Sequence, residues 1–494
     1  MRLYANRENE TRRPQDASKV WNNLVSSTVP LRRNELDQAE NHALGCGSSE
    51  PETSADRVCR VLILGGGFGG IYAAIELERA LRDPDSVNIT LVTRDNYFLF
   101  TPMLHEVAAS DLEMNAIINP LRKLLRRVKT FTGNIETINL ERRCVAISHG
   151  FDRHLHELPY DHLVIALGSS TNFFGLPGVQ DAALTIKTLD DAIELRNRLI
   201  THLEEANSEC AAGERQPLLT FVVVGAGFAG VETLGGIHDF VREAIRFYPN
   251  LTPEFVHTIL ISSDAFILPE LGGKLGAYAQ RKLAARGVEI MTGTRVTAVR
   301  DGLVELSDGR TIPATTLIWA AGNAPNPLVA DLPVPKSGGR ILVNEYLEVD
   351  GFPGIWALGD CASIPDRETG GFHPPTAQHA IREGRCVARN VVADIVGGRK
   401  KPFRFSTLGR LAAIGRRTGV ANVFGLNFSG FLAWWLWRTI YLFKLPRLEK
   451  KMRVALDWTL DLCFAKDFAC VIARHPLSMT ASKGPDEREA NRAA

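Results

Sequence analysis

The chain has 494 residues, enough for two or three domains, and its 45% hydrophobic and 23% charged content is ordinary for a globular protein. Basic and acidic residues number 57 and 56, so the net charge of +1 excludes a global field toward nucleic acid or an anionic surface, and any membrane attraction must be local. The eight cysteines never take C-x-x-C spacing, which removes zinc-ribbon and iron–sulfur chemistry, and no run reaches the roughly 18 apolar residues of a spanning helix.

Residues 1–56 are polar, mixed in charge and without period, and read as a disordered extension outside the fold. They lack the apolar core of a secretory signal, and their nine acidic residues argue against a transit peptide. Residues 60–64 then read as a strand buried on both faces. Gly65, Gly67 and Gly70 follow with G-x-G-x-x-G spacing around Phe68, and a helical pattern begins at Ile71. That context predicts a dinucleotide turn: Gly65 for the tight bend, Gly67 for approach of a pyrophosphate, Gly70 for close helix packing. The helix N-terminus offers free N–H groups to the phosphates. A second strand over 88–92 ends at Thr93, with Arg94 and Asp95 after it, where an acid usually meets the ribose. The apolar segment 96–104 is expected to stop at Pro102. A strand over 162–166 ends in small residues, Ala166 and Gly168, that let a cofactor lie against the backbone.

The glycine spacing recurs at Gly225, Gly227 and Gly230 after the strand 221–224, with a helix starting near Val231. Strands over 258–261 and 288–291 flank a helix near 274–286; Ser262 ends the first of them. A further strand runs from 316 to small residues at Gly322. Two fingerprints in one chain imply a flavin on one and a nicotinamide on the other, hence hydride transfer. The strand 354–362 carries Asp360, placed to accept bonds from ribityl hydroxyls or to cap a helix. A helix opens at 374–380, with Ala377 and Gln378 in its first turn, and runs to about 396. From 428 to 443 the chain is crowded with Trp and Phe, with apolar positions 428, 431, 432, 435, 439, 442 and 443 at helical spacing. Between Arg438 and Arg453 six basic residues face one acidic residue, and a Trp-rich helix with a basic flank suits a membrane headgroup region or a packing surface.

This order of parts resembles the type II NADH dehydrogenases, single-subunit NADH:quinone oxidoreductases. The resemblance runs from about residue 57 to 472 and is carried by 64–70, the Asn96-Tyr97-Phe98-Leu99-Phe100-Thr101-Pro102 segment, 224–232, Trp319-Ala320-Ala321-Gly322, Gly359-Asp360, Ala377-Gln378, and Phe431-Leu432-Ala433-Trp434 with its basic run. It implies an α/β fold of two Rossmann-like domains, the second inserted in the first. FAD would sit on 57–172 and 320–398, NADH on 173–319, and a membrane-anchoring and dimerising helical region would occupy 399–480, with a disordered tail over 481–494. It further implies that Glu232 lies near the nicotinamide and couples the two substrate sites, and that Ala377 and Gln378 are quinone-proximal. The expected setting is peripheral, as a homodimer on the cytoplasmic face of a bacterial inner membrane. Residue by residue, Glu232 has a plainer reading as a carboxylate in the first helical turn.

Three departures from the family pattern stand out. Arg382 replaces a frequent second Gln, and Arg can only donate. Ser262 replaces the acid that favours NADH, which leaves NADPH open, and Thr93 replaces the acid on the FAD side. Two other functions use similar parts. A sulfide:quinone reductase would need cysteines beside the flavin, where only Cys361 falls. A non-enzymatic redox sensor would need only the binding.

Overall fold

The computed structural model describes residues 58–81, 86–464 and 466–470. The extension expected over 1–56 and the tail expected over 481–494 lie outside the described residues, as does 471–480.

Val61 to Leu64 are buried on both faces, and Cys59–Leu64 forms the middle strand of a parallel sheet. The spatial order is Ile355–Ala357, His162–Ile165, Cys59–Leu64, Val87–Thr93, Lys129–Thr132. The chain moves outward one way from the middle strand and then returns to its other side, so a topological switch point falls at the end of 59–64. Helix α1 (Phe68–Ala80) starts there. It begins three residues earlier than the apolar period suggests, because the fingerprint's own residues build its first turn. The 96–104 segment is not one element: a strand, Tyr97–Leu99, gives way to a 3-10 turn, Thr101–Met103, with Pro102 near its start, and then to helix α2 (Leu104–Ala108). Proline is tolerated there because the first N–H groups of a helix need no partner.

A second parallel sheet repeats the plan, in the order Ala183–Leu184, Thr316–Trp319, Thr220–Val224, His257–Ile261, Val288–Met291. Helix α3 (Phe228–Ala244) leaves its middle strand, again three residues before the expected start. An antiparallel pair, Ser169–Thr171 with Asn323–Pro325, ties the outgoing and returning chains together. The strand predicted over 354–362 is shorter, Ile355–Ala357, and continues as a 3-10 turn at Gly359–Cys361. Helix α4 (Ala377–Ile395) then lies on α1 so closely that a Cβ on Gly384 would run into the Gly69 carbonyl.

The region after 399 is not helical throughout. A three-stranded antiparallel sheet, Gly409–Ala413, Gly419–Val423 and Leu426–Gly430, precedes helices α5 (Phe431–Lys444) and α6 (Leu448–Leu460). Phe428, counted above with the helix, belongs to the last of these strands. Its short strands and tight turns leave no helical period to read. Among the described residues no helix is long and apolar enough to cross a membrane.

Candidate functional site

The two glycine turns have nearly the same geometry. Gly65 and Gly225 have φ of 109° and 106°, which a side chain rarely adopts. A Cβ on Gly65 would overlap the Ala166 carbonyl, and one on Gly225 would stand 2.7 Å from the Ala320 backbone. A Cβ on Gly70 or Gly230 would strike the carbonyl of Gly65 or Gly225, so only glycine allows each helix to approach its turn. Gly67 and Gly227 differ: a Cβ on Gly67 meets nothing within 4 Å, and one on Gly227 meets only Glu270 Oε1 at 3.5 Å. Each turn is therefore a cradle, walled by its first and third glycines and open at the second, with a helix N-terminus at its floor. That shape fits a pyrophosphate.

Around the first cradle, Thr93 is buried and its side chain fills the space against Gly66, while Arg94 stands exposed. Phe68 meets Phe98 and Phe100 at ring distances of 5.0 and 5.7 Å. Gly168 has φ of 69° at the strand end. Asp360 Oδ2 accepts a hydrogen bond from Ser169 Oγ at 3.0 Å. Lys187 reaches the same spot, donating to Asn323 Oδ1 at 2.8 Å. Beneath the turn, the Gly359 N–H donates to Glu383 Oε2 at 2.8 Å. Burial, with the Asp360 charge adding, pushes the Glu383 carboxyl up to about 8 against that bond. Cys361 is fully buried, its thiol 3.2 Å from the Leu358 carbonyl, and burial pushes it up to about 11. A thiol held in that state is a poor nucleophile.

At the second cradle Ser262 is buried and its Oγ accepts the Asp264 N–H at 3.1 Å, so the usual place of the acid carries no charge. The Phe174 ring covers Gly322, 2.6 Å from where a Cβ would stand.

Glu232 is the fifth residue of α3 and lies past its first turn, so the plainer helix-dipole reading does not apply. Its carboxyl is buried between α3 and the C-terminal region. Oε1 accepts from Trp437 Nε1 at 2.8 Å and from the Ala413 N–H at 3.1 Å. Burial pushes it up to about 8 despite both bonds. A parallel contact joins Trp458 Nε1 to Glu106 Oε2 at 2.9 Å, and burial raises Glu106 as well. Arg438 lies between Trp434 and Trp458, 4.3 and 4.7 Å from the ring centres. Glu232, Glu106, Trp434 and Arg438 line a partly open cavity of about 30 Å³, room for a water molecule. Glu106, Glu383, Trp437 and Trp458 escaped sequence reasoning. Only their spacing on α2, α4, α5 and α6 could have hinted at a buried face.

On α4, Ala377 and Gln378 open the helix, and Gln378 Nε2 donates to the Gly409 carbonyl at 3.4 Å, a long bond. Helix α5 divides as its period suggests. Phe431, Leu432, Trp435 and Phe443 are exposed, Trp435 by 50% and Phe443 by 71%, while Trp437 is fully buried. Leu448, Met452, Leu456 and Leu460 extend the exposed apolar face along α6 at every fourth residue.

Residues 59–384 match the family model described as pyridine nucleotide-disulphide oxidoreductase, and 408–467 the model described as NDH2 C-terminal domain. The chain is 34% identical over 426 residues to the type II NADH:quinone oxidoreductase Ndh of Mycobacterium tuberculosis, covering 83% of this chain and 89% of that one. It is 32% identical over 418 residues to a probable NADH dehydrogenase of Dictyostelium discoideum, covering 83% and 91%. The solved NDH2 of Plasmodium falciparum in complex with NADH superposes with a TM-score of 0.78 at 21% identity, over 84% of this chain and 100% of that one, a likeness of fold.

Proposed function

This chain belongs to the type II NADH:quinone oxidoreductase family, and from that membership we propose that it takes hydride from NADH and reduces a membrane quinone by two electrons through FAD, without pumping protons. The observation that carries the reading is the pair of matching open cradles, each at the switch point of its own parallel sheet. FAD, when bound, supplies the electron store between a two-electron donor and a two-electron acceptor. Gly65, Gly67 and Gly70 would hold its pyrophosphate and Asp360 its ribityl chain, with Ser169 bonded to the Asp360 carboxylate and Glu383 to the Gly359 backbone before it. Gly225, Gly227 and Gly230 would hold the pyrophosphate of NADH. No arginine lies in 262–265 to receive a 2′-phosphate, which favours NADH over NADPH. Ala377 and Gln378 would face the quinone. The test is spectroscopic: NADH added to FAD-loaded protein in detergent bleaches the flavin, and decylubiquinone restores it. A flavin that stays oxidised under excess NADH and NADPH would mean a binding protein and not an enzyme.

The exposed apolar face of α5 and α6 supports attachment to a membrane surface. Attachment on the cytoplasmic side of a bacterial inner membrane, as a homodimer, belongs to the same proposal. Deleting the region would not test it cleanly, because Trp437 and Trp458 hold buried carboxyls. A double substitution, Trp435→Ser with Phe443→Ser, touches only exposed side chains. It is expected to shift the protein from the vesicle pellet to the supernatant and leave FAD content unchanged. High salt alone should not release the parent, since screening weakens charge contacts and not apolar burial.

A further inference from the structure

The strands Cys144–His149 and His154–Pro159 form an antiparallel hairpin, in which His149 lies opposite His154 and Ile147 opposite His156. Residues opposite one another, and residues two apart on one strand, share a face of a sheet. His149, His154 and His156 therefore stand together. Their ring centres are 4.7 Å apart for His149 and His156, 4.7 Å for His154 and His156, and 5.8 Å for His149 and His154. Phe131 meets the His149 and His156 rings edge-on, each at 5.5 Å, and gives the cluster an apolar floor. His154 is exposed and the other two are half-buried.

His149 Nε2 and His156 Nε2 are 2.7 Å apart, so one ring donates its N–H to the lone pair of the other. Two imidazole nitrogens aimed at one point, with a third imidazole beside them, make the donor set of a borderline divalent ion. Among the described residues no three ligands already converge on one centre. Two nitrogens bound to one zinc ion stand about 3.3 Å apart, so an entering ion spreads this pair by roughly half an ångström. His154, exposed at the start of its strand, turns about its side-chain bonds to bring a nitrogen in.

We propose that His149, His154 and His156 form a surface site for a divalent transition metal ion of the zinc class, with water in the fourth position. The inference is independent of the NADH:quinone reading above. The ring that donates its Nε2–H moves that proton to Nδ1, so both Nε2 lone pairs face the ion and no net proton is released. Crowding by protein atoms, then the His149 and His154 rings, lower the hold of His156 on a proton, which keeps it in the neutral, ligating form near pH 7. An ion held here cross-links the two strands of the hairpin. It does so above Phe131, whose strand pairs with the one that ends at Thr93 beside the first cradle.

The experiment uses the full chain loaded with FAD, in detergent, stripped of metal with EDTA and dialysed. Zinc chloride is titrated in by calorimetry, and the parent is expected to saturate with one zinc ion per chain. His149→Gln and His156→Gln should each weaken that binding by about 100-fold or more, since even an outer partner of a metal ligand is worth about 10–100-fold. His154→Gln should weaken it by about tenfold or more. His257→Gln, an exposed histidine at the start of a strand in the second sheet, should leave it unchanged. X-ray absorption at the zinc edge should show imidazole nitrogens at about 2.0 Å and no sulfur at about 2.3 Å. Zinc affinity unchanged in both His149→Gln and His156→Gln overturns the proposal. So does sulfur ligation, which would assign the ion to cysteines, and so does a parent that saturates only at about millimolar zinc. Melting curves without zinc check that each variant is folded. If the half-buried positions do not tolerate glutamine, His154→Gln decides alone, because its ring is exposed.

Discussion

Gly67→Ala is expected to leave the apoprotein folded and to strip it of FAD. Gly67 has φ of −78° and ψ of −170°, ordinary extended backbone, and a Cβ there meets no protein atom within 4 Å. The methyl group therefore costs the fold little, but it occupies the space through which a phosphate must reach the N–H groups of α1. Flavin retained after gel filtration should fall about tenfold or more, equivalent to about 1.4 kcal/mol of lost binding, with an unchanged melting curve for the apoprotein. Gly227→Ala is the matched control, with φ of −73° and ψ of −173°. It should keep its flavin and raise the KM for NADH about tenfold. A Gly227→Ala protein that loses flavin while Gly67→Ala keeps it would reverse the assignment of the two cradles. Gly70→Ala and Gly230→Ala are less informative, because their side chains collide with backbone and damage the fold whatever binds.

Glu232→Gln should flatten the pH dependence of stability and slow quinone-dependent turnover without loss of FAD. The carboxyl moves from an ordinary value of 4.5 to about 8 in the folded protein because it is buried. Between those values the folded state holds a proton that the unfolded state has released. Stability therefore falls as pH rises, by about 1.4 kcal/mol per pH unit for the group, and the effect levels off above about pH 8. Glutamine can still accept from Trp437 and Ala413 but cannot titrate. Denaturation curves from about pH 5 to about pH 8 should show the variant losing that share of the slope, while Glu106 and Glu383 keep theirs. For the coupling role, turnover with decylubiquinone should drop about 100-fold, the range of a lost proton-transfer group, at constant flavin content. Parental kinetics together with a flattened stability profile would make Glu232 a structural acid.

The glycine cradles were legible because all their causes are local. Residues 59–70, and again 220–230, contain the strand, the bend and the start of the helix, and each glycine's reason lies within that span or against the next strand end. The helix starts were misread by three residues because periodicity sees large apolar side chains, while after the leading Phe the first turn of α1 is Gly69-Gly70 and that of α3 is Ala229-Gly230. The three strands between 409 and 430 were missed because short strands joined by tight turns carry no long period, and the tryptophans beside them dominate the pattern.

Residue type and spacing alone determined that two dinucleotide turns exist and that α5 has an apolar face; the family resemblance added that Arg382, Ser262 and Thr93 break its pattern. The period grouped Phe431, Leu432, Trp435 and Phe443 on one face, and only the tertiary structure decided that this face is surface and that Trp437 is core. Trp437 is withdrawn by a hydrogen bond to a carboxyl 205 residues away, whereas Trp435 has no such partner. Likewise, Cys361 is made inert and Glu232, Glu106 and Glu383 are made weak acids by burial. Burial is set by every element that closes over a group, and those elements come from distant parts of the chain, where no local pattern records them.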